Sequence, residues 1–146
     1  MDEADTVGTI MSRTVRTASS GDSLNAVMAV MVKYDIGSVV VTEGGKPVGI
    51  VTERDIVRRM ATGPVGASLP NAGNAASKPL ITVPPEEEIW EAFGLMLEKK
   101  IRRLLVLKDG KLEGIVTERD LFKWVVRVIY EPNIPERIKG LIAQNP

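Results

Sequence analysis

The 146-residue chain contains no cysteine and no histidine. The first absence excludes disulfides, a thiol nucleophile and thiolate metal ligands; the second removes the commonest general base and the commonest metal ligand. Catalysis would have to rest on carboxylates, Lys, Ser, Thr or Tyr. Neither an acidic metal cluster nor a phosphate-binding glycine loop of the Walker type is visible, which disfavours a nucleotide hydrolase. Aromatic residues are scarce, with two Trp, two Tyr and two Phe. Net charge is lacking too: 19 Lys and Arg balance 19 Asp and Glu. These charges are interspersed, so there is no footprint for nucleic acid or an anionic membrane surface. No apolar run approaches the ~18 residues that suggest a membrane span, and no secretory leader pattern is present. A soluble, cytoplasmic protein is the expectation.

What the chain does have is a duplication. Gly49-Ile50-Val51-Thr52-Glu53-Arg54-Asp55 returns unchanged, 65 positions later, as Gly114-Ile115-Val116-Thr117-Glu118-Arg119-Asp120. The same offset lays Asp22-Ser23-Leu24 on Glu87-Glu88-Ile89, Ile36 on Ile101 and Gly45-Lys46 on Gly110-Lys111 without a gap. Self-similarity of this kind has to be accommodated before any fold is assigned. Halves of this size are marginal alone, so the copies are expected to pack together.

Each copy reads as β-α-β-β-α. In the first, Val7 to Met11 suits a helical turn leading into a β-prone segment, Thr14 to Thr17, and Ser19 to Asp22 reads as a turn and helix cap. Leu24, Val27, Met28 and Met31 recur at helical spacing. Ile36-Gly37-Ser38 then opens a strand at Val39 to Val41, and Glu43 to Lys46 turns a hairpin back through Pro47 to Val51. The next helix starts near Glu53, is expected to turn Ile56, Val57 and Met60 inward, and ends near Gly63-Pro64. Residues 63–78 are mostly Gly, Ala, Ser, Asn and Pro and read as the most mobile part, a linker. The second copy restarts at Pro79-Leu80-Ile81-Thr82. Its first helix repeats the apolar face with Ile89, Ala92, Phe93, Met96 and Leu97, the first four expected to be buried; its last carries Leu121, Trp124, Val125 and Val128. Trp124 suits either core or a subunit contact, and Trp90 is expected to be partly exposed. Residues Glu136 to Ala143 suit a short final helix. The divisions are 7–62 for copy one, 63–78 for the linker, 79–130 for copy two and 131–146 for a C-terminal extension.

Locally, Thr-x-x-Asp after an Ile-Val pair fits a helix N-cap with a carboxylate three residues on. The same groups suit a ribonucleotide. A carboxylate at a helix start can accept both hydroxyls of a ribose cis-diol, while the Thr hydroxyl and the first amides favour phosphate oxygens. Arg54 and Arg119, each just before its Asp, could supply positive charge or be solvated.

Present twice in a strand, turn and helix setting, the motif resembles the nucleotide-contacting signature of the cystathionine β-synthase (CBS) domain, and the pair resembles a Bateman module. The resemblance runs from about Val7 to Val126. It implies an α/β (α+β) fold of two CBS repeats packed sheet to sheet with pseudo-two-fold symmetry. It also implies two nucleotide sites, one on Thr52 and Asp55 and one on Thr117 and Asp120. Thr14 and Pro79 at the first strands, Ile36 and Ile101 at the second, and Ile50 and Ile115 in the motif strands fall beside the base slots. Phosphate is expected from the opposite copy, so that Arg102 and Arg103 serve the Asp55 site while Gly37 and Ser38 face the Asp120 site without charge. Gly73 to Ser77 are smaller than Thr9-Ile10-Met11, so the base slot of the Asp120 site is expected to be looser. These observations converge on a stand-alone sensor that is not an enzyme, has no catalytic cofactor or metal, binds AMP, ADP or ATP, forms a homodimer and signals to an effector protein. A ligand-free assembly module, or a sensor of S-adenosylmethionine or NADH, is the alternative.

Overall fold

The structure is a computed structural model, and it describes residues 5–64, 66, 68–78, 80–128 and 135–138. The elements follow in the order α1 (Val7–Ile10), β1 (Thr17–Ser19), α2 (Leu24–Tyr34), β2 (Ser38–Glu43), β3 (Lys46–Thr52), α3 (Glu53–Thr62), α4 (Ala72–Ala75), β4 (Thr82–Val83), α5 (Ile89–Lys99), β5 (Arg103–Lys108), β6 (Lys111–Thr117) and α6 (Glu118–Val128). From β1 to α3, and again from β4 to α6, the order is the β-α-β-β-α that the duplication predicts. Two three-stranded sheets result, β1-β2-β3 and β4-β5-β6.

In each sheet the first strand runs parallel to the second, which is hairpinned to the third. Both hairpins slip register at the same place, between Val41 and Thr42 and between Val106 and Leu107. Their turns need positive φ at two successive residues, supplied by Gly44 and Gly45 in one and by Asp109 and Gly110 in the other. Such turns match the right-handed twist of the flanking strands, which is why glycine sits there. Helices α2 and α5 both stop at a left-handed residue, Asp35 and Lys100, neither of which is glycine.

The chain divides into two compact units that cut across the sequence repeats. One, the Asp55 unit, is Val15–Leu80; the other, the Asp120 unit, joins the segment ending at Thr14 to the chain from Ile81 onward. The lead-in helices are the reason. The amides of Val7 and Gly8 in α1 donate to the carbonyls of Glu87 and Pro85, and those of Ala72 and Gly73 in α4 donate to Asp22 and Ser20. These four bonds correspond pairwise under the 65-residue offset. Each short helix thus docks on the copy it does not precede.

The Asp55 unit has a core of Leu24, Val27, Met31, Val39, Val41, Val51 and Ile56 with Ala72 and Ala75 of α4. The Asp120 unit buries Val7, Val83, Ile89, Ala92, Met96, Leu104, Val106, Val116, Leu121 and Trp124 together. Three differences from the sequence reading stand out. Residues 63–78, read as a linker, contain α4, in which Ala72, Gly73 and Ala75 are buried. Val57 and Met60, read as inward, are 65% and 61% exposed, because α3 turns only Asp55 and Ile56 into the unit. Met28 and Phe93 are half-buried rather than fully enclosed.

Trp124 is core, 4% exposed, and its ring meets Trp90 edge-on at 4.6 Å between centroids. Of the expected final helix, residues 136–138 are helical and the rest lies outside the described residues. Ile138 is buried there, and Arg137 pairs with Glu91 and Glu98 of α5.

Candidate functional site

Thr52 ends β3 and caps α3. Its hydroxyl accepts from the Asp55 amide at 3.2 Å, while Asp55 Oδ2 accepts from the Thr52 amide and the Thr52 hydroxyl, both at 2.9 Å. This is a complete capping box with Asp in the third helical position. Thr117 and Asp120 repeat it at the start of α6, with the corresponding distances 3.3, 2.9 and 3.0 Å. Each motif therefore puts one hydroxyl and one carboxylate at the positive end of a helix of ten residues or more.

The neighbouring positions arrive through the sheet. In the Asp55 unit, Ser38 is the register partner of Thr52, and the Glu53 amide donates to the Gly37 carbonyl at 3.1 Å. In the Asp120 unit, Arg103 is the register partner of Thr117, and the Glu118 amide donates to the Arg102 carbonyl at 2.8 Å. Arg102 also lies 4.0 Å from the Glu118 carboxylate, with both side chains largely exposed. The arginine pair thus adjoins the motif of its own copy. Ile36 and Ile101 follow the left-handed helix caps and pack against the cores of their units. Arg54 and Arg119 are exposed on the first turns of α3 and α6.

The lead-in segments complete each motif. Ser77 forms an antiparallel bridge with Ile50, and Ser12 forms the equivalent bridge with Ile115. Approach is close enough that a Cβ on Gly49 would stand 2.7 Å from the Ala76 methyl. The small residues Gly73 to Ser77 therefore flank the Asp55 motif, not the Asp120 motif as their place in the sequence suggests. Met11 and Ser12 flank the Asp120 motif. Thr14 is exposed before β1, and its carbonyl accepts from the Ser12 hydroxyl at 3.5 Å. Pro79 lies outside the described residues.

Sequence reasoning missed Ser77. Its hydroxyl donates to Asp55 Oδ1 at 2.9 Å. The signal was present, since the 65-residue offset sets Ser77 on Ser12, but the composition of its surroundings reads only as spacer. Among the described residues no group of three or more metal-ligating side chains converges, and no helix is long and apolar enough to cross a membrane.

Comparison with known proteins agrees with this architecture. The chain is 40% identical over 119 residues to an uncharacterized protein of Methanopyrus kandleri, covering 80% of this chain and 61% of that one. It spans 35% of a longer uncharacterized protein of Methanocaldococcus jannaschii, to which it is 36% identical. The match thus spans about a third to three-fifths of the length of these relatives. Among solved structures, a protein with CBS domains from Burkholderia ambifaria superposes with a TM-score of 0.76 at 29% identity, covering 90% of this chain and 98% of that one. CBSX2, solved in complex with AMP, superposes with a TM-score of 0.71 at 22% identity, covering 85% and 98%. The family model for the CBS domain matches twice, over residues 7–62 and 72–127. Its second match begins at α4, where the 65-residue offset places the counterpart of α1. The chain belongs to the CBS domain family, as a tandem pair.

Proposed function

We propose that this protein is a cytoplasmic regulatory module, not an enzyme, that senses an adenine nucleotide, AMP, ADP or ATP, through its two Thr-x-x-Asp motifs. The observation that carries this reading is the repeated placement of a carboxylate and a hydroxyl at a helix start. A ribose diol can donate to the carboxylate, and phosphate suits the amides and dipole of the first turn. The AMP complex of CBSX2, similar in fold, supports the choice of adenine nucleotide. Arg102 and Arg103 adjoin the Asp120 motif through the sheet, and we assign them to phosphate there. Val57 and Met60 of α3 and Phe122 and Val126 of α6 are exposed apolar positions suited to a second copy of the chain or to an effector.

The completed capping boxes favour a second reading, in which the motifs only terminate strands and start helices and the protein is an assembly module. Ligand-dependent stability separates the two. A nucleotide at a hundredfold excess over its dissociation constant stabilises the native state by about 2.7 kcal/mol. Asp55→Asn and Asp120→Asn, which keep a capping side chain, should each diminish that gain. No stabilisation by adenosine, AMP, ADP, ATP, S-adenosylmethionine or NADH at millimolar concentration would leave only the assembly reading.

A further inference from the structure

The two motifs are identical in sequence yet differ at the carboxylate. A carboxylate offers roughly four lone-pair positions. At both motifs Oδ2 takes two donors from the Thr. At Asp55 the other oxygen, Oδ1, takes a third from Ser77 at 2.9 Å. Among the described residues nothing donates to Asp120 Oδ1, because Ser12 turns its hydroxyl to the Thr14 carbonyl. Asp55 is correspondingly the more enclosed of the two carboxylates.

A second side chain holds the same segment. Arg59 Nη2 of α3 donates to the Asn74 carbonyl in α4 at 2.7 Å. Under the 65-residue offset Arg59 becomes Trp124, a buried ring packed edge-on against Trp90. The lead-in of the Asp55 unit is thus fastened to its motif helix at two points, and the Ser77 bond has no counterpart among the described residues of the Asp120 unit.

We infer that Ser77 gates the Asp55 motif, competing with an incoming ribose hydroxyl for Oδ1, so that the Asp120 motif fills first and the Asp55 motif fills only as Ser77 is displaced. This rests on the ribose reading proposed above. It also reverses the order suggested by the sequence, where the arginine pair and the longer lead-in side chains favour Asp55. Filling the second site would free one of the two side-chain bonds that tie the lead-in segment to α3, coupling occupancy to the packing of residues 71–78.

The experiment isolates each site by substitution and titrates with adenosine, which has the ribose diol and no phosphate. In an Asp120→Asn background, Ser77→Ala should tighten adenosine binding about tenfold, the equivalent of one hydrogen bond of about 1.4 kcal/mol. In an Asp55→Asn background, Ser77→Ala should change nothing. Unchanged or weaker binding in Asp120→Asn/Ser77→Ala overturns the gate while leaving the ribose reading intact. Adenosine binding that survives both Asp→Asn substitutions together overturns the ribose reading, and the gate with it. A denaturation cycle on the ligand-free protein tests the bond itself: Ser77→Ala and Asp55→Asn should be non-additive, and strict additivity also overturns the gate.

Discussion

Gly114 and Ser12 lie so close that a Cβ on Gly114 would stand 2.6 Å from the Ser12 carbonyl oxygen. The neighbour is backbone held in a bridge with Ile115, so it cannot rotate away. Glycine at this position of the motif is therefore a requirement of the lead-in segment as much as of the strand. Gly114→Ala should destabilise by ~1–3 kcal/mol, the usual range for an overpacked site. Gly49→Ala should do likewise against the Ala76 methyl, with one difference: Ala76→Gly should restore part of the loss, whereas Met11→Ala should not rescue Gly114→Ala. Urea unfolding of the four variants reads this out.

Thr52 contributes to stability before any ligand is considered. Thr52→Ala removes the acceptor for the Asp55 amide and one donor to Oδ2, and should cost about 0.5–2 kcal/mol. Thr52→Ser keeps both and should cost little. Thr117→Ala should match Thr52→Ala, since the bonds are the same. Equal stability of the Ala and Ser variants in thermal unfolding would remove the cap from the account.

Arg102 should separate stability from binding. Its pair with Glu118 is 4.0 Å apart and solvent-exposed, and pairs of that kind contribute about 0–1 kcal/mol. Arg102→Ala should leave the unfolding midpoint nearly unchanged. If the guanidinium meets phosphate, the same variant should lose AMP affinity about tenfold while adenosine binding is preserved, since a charge-assisted bond amounts to about 1.5–3 kcal/mol. Equal losses for AMP and adenosine in calorimetry would reject the phosphate assignment.

Lys100 closes α5 in a left-handed conformation with φ of 55°. A side chain there costs ~1–2 kcal/mol relative to glycine, offset in part by the greater freedom of glycine in the unfolded chain. Lys100→Gly should therefore stabilise by about 0.5–1 kcal/mol. A fall in the denaturant midpoint would mean the lysine side chain makes a contact that outweighs the strain.

The secondary structure was legible because the duplication reports each element twice. An apolar helix face at Leu24, Val27 and Met31 is hard to mistake when Ile89, Ala92 and Met96 repeat it. The capping pairs were legible for the same reason. What escaped was everything decided by contacts distant in sequence. Helix α4, Ala-Gly-Asn-Ala, has no periodic face; it is held by the Asn71 cap on the Asn74 amide and by backbone bonds to Ser20 and Asp22. Composition alone makes that stretch a spacer. The same blindness assigned Gly73 to Ser77 to the wrong motif and passed over Ser77, whose role depends on the bridge to Ile50. Val57 and Met60 misled because apolar spacing marks a face without saying what covers it.

The docking of α1 beyond the first copy also sets an order of completion during synthesis. The contacts that define the Asp55 unit lie between Val15 and Leu80, so they can begin to form once that stretch has left the ribosome. Val7, buried in the other unit, must wait for Glu87 and for the strand that carries Ile115. At ~5–20 residues per second that delay is on the order of seconds. During it α1 lacks the partners it docks on, while the Asp55 motif already has both its cap and its lead-in.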